Sequence, residues 1–361
     1  MKNSLCLTLA ALLFAALSAL AADPSSGEVL DGNGDTLVLK AGHPSLANWL
    51  LPAVVPSPDD NKLTPLRAAL GKQLFFDPRL SGTGQSTCAS CHAPERGWAD
   101  GFPRSVRFMG AVMTRASPTL VNVGYNTIFL WDGRSPTIEH QAINGASASG
   151  SMNAAGPWKP TDGNANIQKI RGYVEAFERA YPGEGVTPQT IAKAIASFER
   201  TIVSRDSPFD QWVRGKADAL TPQQVQGFRV FVDPAKGNCA ACHAAPNFTD
   251  NGFHNLGLRS FADEPDTGRF AQRQVPLMKG AFKTPQLRDI AQTAPYFHDG
   301  SARTLQEVVE HYAKGGEVKT NLSPNMKVLD LTAEEKEALV AFMRGLSTRH
   351  PVFVYPVLPK G

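Results

Sequence analysis

The sequence predicts a mainly α fold of two similar units in tandem, with few short strands. Three observations carry this. The pentapeptide Cys-x-x-Cys-His occurs once in each half, as Cys88-Ala-Ser-Cys91-His92 and Cys239-Ala-Ala-Cys242-His243. Each copy follows a segment whose apolar residues recur at helical rather than alternating spacing. The 361 residues, less a short leader, exceed what one hydrophobic core usually organises.

The elements follow in order. Lys2 precedes an apolar run from Leu5 to Leu20, and Ala19-Leu20-Ala21 supplies a small-x-small cleavage site before Asp23. Residues 1–22 therefore read as a secretory signal peptide, which places the mature protein in the periplasm. The run is short for a spanning helix and no later stretch approaches ~20 apolar residues, so no membrane anchor is expected after cleavage. Residues 23–62 read as an N-terminal extension with a strand over Thr36–Leu39. Asp31-Gly-Asn-Gly-Asp35 resembles the start of an EF-hand loop, but Gly42 occupies the position that needs a bidentate Glu, which leaves a polar turn.

The first unit spans 63–215. Leu66, Ala69, Leu70 and Leu74 give it a helix before the first pentapeptide, and Ile191, Ile195, Phe198 and Ile202 give it another over Thr187–Val203. A turn at Asp206-Ser-Pro208 leads into Phe209-Asp-Gln-Trp212. The second unit spans 216–350, and Thr221 caps its opening helix with Pro222 at the first turn. Its last helix, Thr332–Leu346, starts with a capping box formed by Thr332 and Glu335. Residues 351–361 are a tail.

The pentapeptides carry chemistry. Two thiols suit covalent attachment to haem vinyl groups, and a histidine directly after them suits ligation of the iron. Cys88, Cys91, Cys239 and Cys242 are thus expected to hold two c-type haems, with His92 and His243 as proximal ligands. Zinc is the rival reading, but the halves of a ribbon or finger lie about 12 to 20 residues apart, far closer than residues 91 and 239. A redox dithiol would sit in a βαβ context that neither segment has. Cys6 leaves with the leader, so no cysteine remains for a disulfide. A net charge of +3 gives no electrostatic case for nucleic acid or an acidic membrane surface.

Several further motifs bring a family into view. They are Leu70-Gly-Lys-Gln-Leu-Phe-Phe-Asp77, Pro118-Thr-Leu-Val-Asn122, Trp131-Asp-Gly-Arg134, the segments Asn247–Gly257 and Phe282–Arg288, and Ala294-Pro-Tyr-Phe-His-Asp-Gly300. In this order and spacing the chain resembles the bacterial di-haem cytochrome c peroxidase and MauG superfamily from about residue 65 to 346. The resemblance implies two cytochrome c-like domains, with a peroxide site at the first haem and a six-coordinate second haem. Trp131 matches the tryptophan between the haems, although a buried tryptophan anchoring a turn would need no such role.

The resemblance also implies the remaining ligands. The histidine that blocks the peroxide site in conventional members falls on Phe108, which cannot ligate iron, with Met109 and Met113 nearby. The sixth ligand of the second haem falls on Tyr312, the residue type of the MauG-like branch. Leu305, Val308, Val309 and Tyr312 share one helical face, which turns Tyr312 inward and His311, about 100° away, toward solvent. Met326, in a proline-containing loop, is the alternative to Tyr312.

Departures from the family are equally specific. Gln141 is kept, but the distal glutamate and methionine fall on Ser151 and Met152, and a family proline on Gly145. Serine has no useful pKa for proton transfer, so Glu139 or His140 would have to substitute, or peroxide activation is differently managed. Gly237 stands where MauG has the tryptophan that reaches its protein substrate. The family's calcium would draw backbone carbonyls from Thr293 and Pro295, with Ala116 leaving it one side-chain ligand short. His298 and Arg288 serve haem propionates or packing.

The resemblance favours a MauG-like enzyme, a branch that includes the methanobactin-operon di-haem type. Hydrogen peroxide would bring both irons to a formally ferryl state, and a residue on a partner protein would be oxidised by long-range electron transfer. A conventional peroxidase drawing electrons from a small cytochrome c or cupredoxin is the alternative. A di-haem electron carrier is the third reading.

Overall fold

Two pairs of helices, each crossed at a glycine, organise the molecule. A computed structural model describes residues 27–31, 34–82, 84–106, 110–146, 162–259 and 266–360. The signal peptide, Phe108, Met109, Ser151 and Met152 lie outside these residues.

The first unit contains α1 (Pro65–Phe75), α2 (Ile138–Ala146), α3 (Asp162–Gln168), α4 (Arg171–Ala180) and α5 (Pro188–Glu199). Thr64 caps α1 by accepting from the Arg67 amide, and Thr187 and Thr190 form a capping box on α5. Leu74, Phe75, Tyr173, Phe177, Ile191 and Ile195 meet in its core. A Cβ on Gly71 of α1 would stand 1.8 Å from the carbonyl oxygen of Ala194 on α5. Only glycine lets the two backbones approach so closely.

The second unit repeats the device. It contains α6 (Pro208–Val213), α7 (Pro222–Val232), α8 (Phe270–Arg273), α9 (Leu305–Ala313) and α10 (Ala333–Gly345). A Cβ on Gly227 of α7 would lie 1.9 Å from the Ala338 carbonyl oxygen of α10. Thr221 and Thr332 cap these two helices as their sequences predict, with boxes closed by Gln224 and Glu335, of which only the second is expected from the sequence. In each unit the glycine-bearing helix leads to the Cys-x-x-Cys-His turn, so the crossing fixes where that turn stands. Gly71→Ala is expected to cost at least about 3 kcal/mol, because the added methyl meets backbone rather than a movable side chain. Chemical denaturation followed by circular dichroism measures it.

Among the described residues, four short strands form two antiparallel pairs, in agreement with the mainly α expectation. β1 (Glu28–Leu30) and β2 (Thr36–Val38) pair with Val29 opposite Leu37. β3 (Phe253–His254) pairs with β4 (Phe282–Lys283). The N-terminal extension is structural. Val29, Leu37, Leu46 and Trp49 enter the second core, where the Trp49 ring meets Phe228 at 5.1 Å and Phe248 at 5.0 Å. Phe209 and Trp212 of α6 pack in the same core, so the sequence-based limit at residue 215 falls after a helix that packs with the second unit.

Behind this core lies a fully buried ion pair. Arg288 donates to Asp210 at 2.7 Å, and also to the carbonyl oxygens of Trp49 and Pro246. Of the two roles open to Arg288, packing is the one its contacts fill. After α10 the chain returns over the first unit. Phe353 packs against Phe76 and Trp98 at 5.3 and 5.2 Å, and Tyr355 donates to Glu95 at 2.6 Å. Among the described residues, no helix is long and apolar enough to cross a membrane.

Candidate haem-binding site

The two pentapeptides form the same turn. A single 3-10 turn covers Cys88–Ser90 in one and Cys239–Ala241 in the other. The His92 and His243 amides donate back to the carbonyl oxygens of Cys88 and Cys239 at 3.0 and 2.8 Å. Each histidine is then oriented by a backbone carbonyl, with Nδ1 of His92 3.1 Å from Trp98 O and Nδ1 of His243 2.9 Å from Phe248 O. A carbonyl only accepts, so both Nδ1 atoms carry the proton and both Nε2 atoms keep a free lone pair. Burial lowers the His92 pKa and takes that of His243 down to about 4. Both rings are neutral at physiological pH.

The thiols are shifted against a redox role. Burial pushes the Cys239 thiol up to about 12, and Cys88 shifts the same way. A redox dithiol needs the opposite shift. Among the described residues, the one convergence of three metal-binding groups joins Cys242, Asp250 and His254, and it takes no cysteine from the first pentapeptide. His254 bonds Asp250 at 2.8 Å, which raises the His254 pKa to about 10, with Cys242 contributing further.

Both turns open on one cavity of about 1010 Å³, lined by His92, His243, Trp131, Tyr312 and His298. This lies at the top of the ~300–1,000 Å³ range of small-molecule sites. A large, mainly apolar cavity reached by an imidazole at each of two places, with Cys91 beside one and Cys239 and Cys242 beside the other, fits two haems. Gly237 also lines it, and a Cβ there would stand 2.5 Å from Val230 O, so any side chain at this position would require the backbone to move.

Trp131 sits where the units join. Its indole Nε1 donates to Ala116 O at 2.9 Å, and its own carbonyl accepts from the Lys283 amide of β4 at 2.8 Å. Its ring meets His298 edge-on at 6.4 Å, and His298 stacks on Phe282 at 3.5 Å. Arg115 bridges Asp132 and Asp266 nearby, at 2.8 and 2.6 Å. Burial alone would raise the Asp132 carboxyl, but Arg115 and Arg134 hold it below its usual range.

On α9, Leu305 and Val309 enter the core while Tyr312 lines the cavity. The Tyr312 hydroxyl has no hydrogen-bond partner among the described residues, and burial raises its pKa, with Cys242 and Cys239 adding to the rise. Met326 lines the same cavity. The expectation of an exposed His311 is corrected. It is 8% exposed, and its Nε2 lies 2.9 Å from Leu256 O. The segment leaving β3 covers that flank of α9, so the helix is buried on two sides rather than one.

Thr293 and Pro295 line the cavity, while the Ala116 carbonyl is engaged by Trp131. Gln141 and Met113 also line the cavity. The two suggested substitutes for the family glutamate are otherwise placed. Glu139 is paired with Arg200 at 2.7 Å, and His140 is exposed beside Ser135. A carboxyl outside the sequence-based set does line the cavity. It is Glu199, 4% exposed. Its position on the apolar stripe of α5, four residues after Ile195, was the available signal.

Comparison with known proteins agrees with this geometry. A family model described as di-haem cytochrome c peroxidase matches residues 65–218, and a cytochrome c model matches 224–347. The methylamine utilization protein MauG of Methylorubrum extorquens is 39% identical over 314 residues, covering 87% of each chain. MauG of Methylophilus methylotrophus is 38% identical over 322 residues, 89% of this chain and 94% of the relative. A crystal structure of a MauG-like protein associated with microbial copper homeostasis superposes with a TM-score of 0.74 at 31% identity, over 83% of this chain and 95% of the other.

Proposed function

The chain belongs to the di-haem cytochrome c peroxidase and MauG family, and from that premise we propose a MauG-like periplasmic enzyme that uses hydrogen peroxide to oxidise a residue on a partner protein. It is a haem-dependent, peroxidase-type oxidoreductase with two tandem domains. In the proposed assignment Cys88 and Cys91 attach the first haem and Cys239 and Cys242 the second, with His92 and His243 offering Nε2 to the irons. When bound, the haem pair supplies two electrons to peroxide and recovers two from the partner.

The protein's own part is orientation and electron sharing. Trp98 O and Phe248 O hold the imidazole tautomers. Trp131 lines the cavity that both turns open on, its indole donating to Ala116 O. It is assigned the coupling role, and Gln141 the orientation of peroxide. Ser151 remains the sequence counterpart of the distal glutamate. Thr293 and Pro295 carbonyls would hold calcium, with water completing its shell.

One observation carries the MauG-like assignment: Tyr312 presents an unpartnered hydroxyl to the cavity that receives the second motif. A phenolate is a hard donor that suits high oxidation states of iron, and no described residue hydrogen-bonds this hydroxyl. The conventional peroxidase reading rests on Met326, which lines the same cavity. Mixing fully ferric protein with peroxide separates them. A rapid change without prior reduction is expected here, and a requirement for prior reduction supports the alternative. Trp131→Phe should keep both haems attached and remove the near-infrared band of inter-haem charge sharing. Retention of that band would rule out the coupling role.

A further inference from the structure

Glu199 is the last residue of α5, and the chemistry above does not use it. It lines the cavity at 4% exposure, and its carboxyl receives no hydrogen bond among the described residues. Its neighbours are committed elsewhere. Arg200 gives both terminal nitrogens to Glu139 and its Nε to Pro56 O, while Asn61 also donates to Glu139. On α1, the other helix crossing α5, Arg67 lies over the Tyr181 ring and Lys72 over Phe353. Cys88 approaches from the first motif as a neutral thiol or thioether. An ionised carboxylate in such a place is strongly disfavoured, so the group holds its proton.

We propose that Glu199 is the proton-holding acid of the peroxide site, a role that rests on the peroxidase reading and fills the place the family glutamate leaves open. Reduction of hydrogen peroxide to two waters breaks the O–O bond and consumes two electrons and two protons. The haem pair gives the electrons. Glu199 gives one proton from its carboxylic O–H, becomes a carboxylate and recovers the proton from solvent, which also supplies the second. Burial takes the Glu199 carboxyl up to about 8, with Arg200 opposing the rise and Glu139 adding to it. The acid is present at neutral pH and is lost as the pH rises through that value, so the peroxide reaction should slow over the same interval.

Infrared spectroscopy of the resting ferric holoprotein, carrying 13C only in glutamate carboxyls, tests this without turnover. The expected result is a neutral-acid band that shifts with the label and in D2O, and is absent from Glu199→Gln. The label excludes aspartates and haem propionates. Glu199→Gln should also react with peroxide about 10²-fold more slowly and lose the fall in rate near pH 8. Should that variant not fold, Glu199→Asp keeps an acid but removes the labelled band. Absence of a labelled acid band at neutral pH overturns the proposal while leaving the peroxidase reading intact. So does a glutamine variant that reacts within about threefold of the wild type, against the ~10² expected of a lost acid. A wild-type protein that shows the band but never reacts with peroxide overturns the delivery role because the peroxidase reading itself has failed.

Discussion

Tyr312→Met should raise the reduction potential of the second haem by on the order of 0.1 V or more, a fraction of the ~0.8 V that axial ligands span. Thioether stabilises reduced iron, whereas phenolate stabilises oxidised iron. The variant should therefore hold oxidising equivalents poorly and oxidise a partner at least ~10²-fold more slowly, while retaining both covalent haems. Burial keeps the free phenol protonated, with Cys242 and Cys239 adding to the effect. Deprotonation thus requires a cation at the site, which the iron provides when bound. Tyr312→Phe separates ligation from packing. Spectroelectrochemistry reads all three proteins, and an unchanged potential in both variants would remove Tyr312 from the iron and leave Met326 as the candidate.

Asp210→Ala should destabilise the protein by about 3–5 kcal/mol, because it strands the Arg288 guanidinium in a site where both partners are fully buried. At roughly 2–4 °C per kcal/mol for a domain of this size, the melting temperature should fall by about 10 °C. Asp210 also accepts from the Ser207 amide and hydroxyl at the start of α6, so the capping box loses its Asp210 half in the same step. Thermal and chemical unfolding check this, and a loss below about 1 kcal/mol would show that the pair contributes little beyond filling space.

Much of this architecture is legible in local sequence. Thr187, Thr221 and Thr332 mark helix starts through short-range hydrogen bonds, and these form where the spacing predicts them. The helix of Tyr312 is equally clear from Leu305, Val308 and Val309. What local pattern does not carry is contact between distant segments. His311 is buried because residues after β3 cross its flank, some 55 positions away in sequence. Trp49 and the β1–β2 hairpin join the second core across the whole first unit, which no periodicity announces. The tail that packs Phe353 on Trp98 is likewise a long-range contact.

The site divides in the same way. The pentapeptides announce thiols and imidazoles because their chemistry is contiguous, but the carbonyls that fix the imidazole tautomers come from Trp98 and Phe248, six and five residues on. Glu199 is the instructive case. A carboxyl on a core-facing stripe breaks the apolar pattern, and such breaks concentrate where function overrides packing. Glu139 looked equally eligible in sequence, yet Arg200 and Asn61 together hold its carboxyl below its usual range against the effect of burial. Only the three-dimensional pairing tells the two carboxyls apart.

If the two haem sites act as one store of oxidising equivalents, one equivalent of hydrogen peroxide added to the fully ferric protein should draw an electron from each iron. Mössbauer spectra should show both irons oxidised above the ferric state, with a near-infrared charge-resonance band appearing at the same rate. A ferric protein that stays silent until one haem has been reduced would contradict the account and make this a conventional peroxidase.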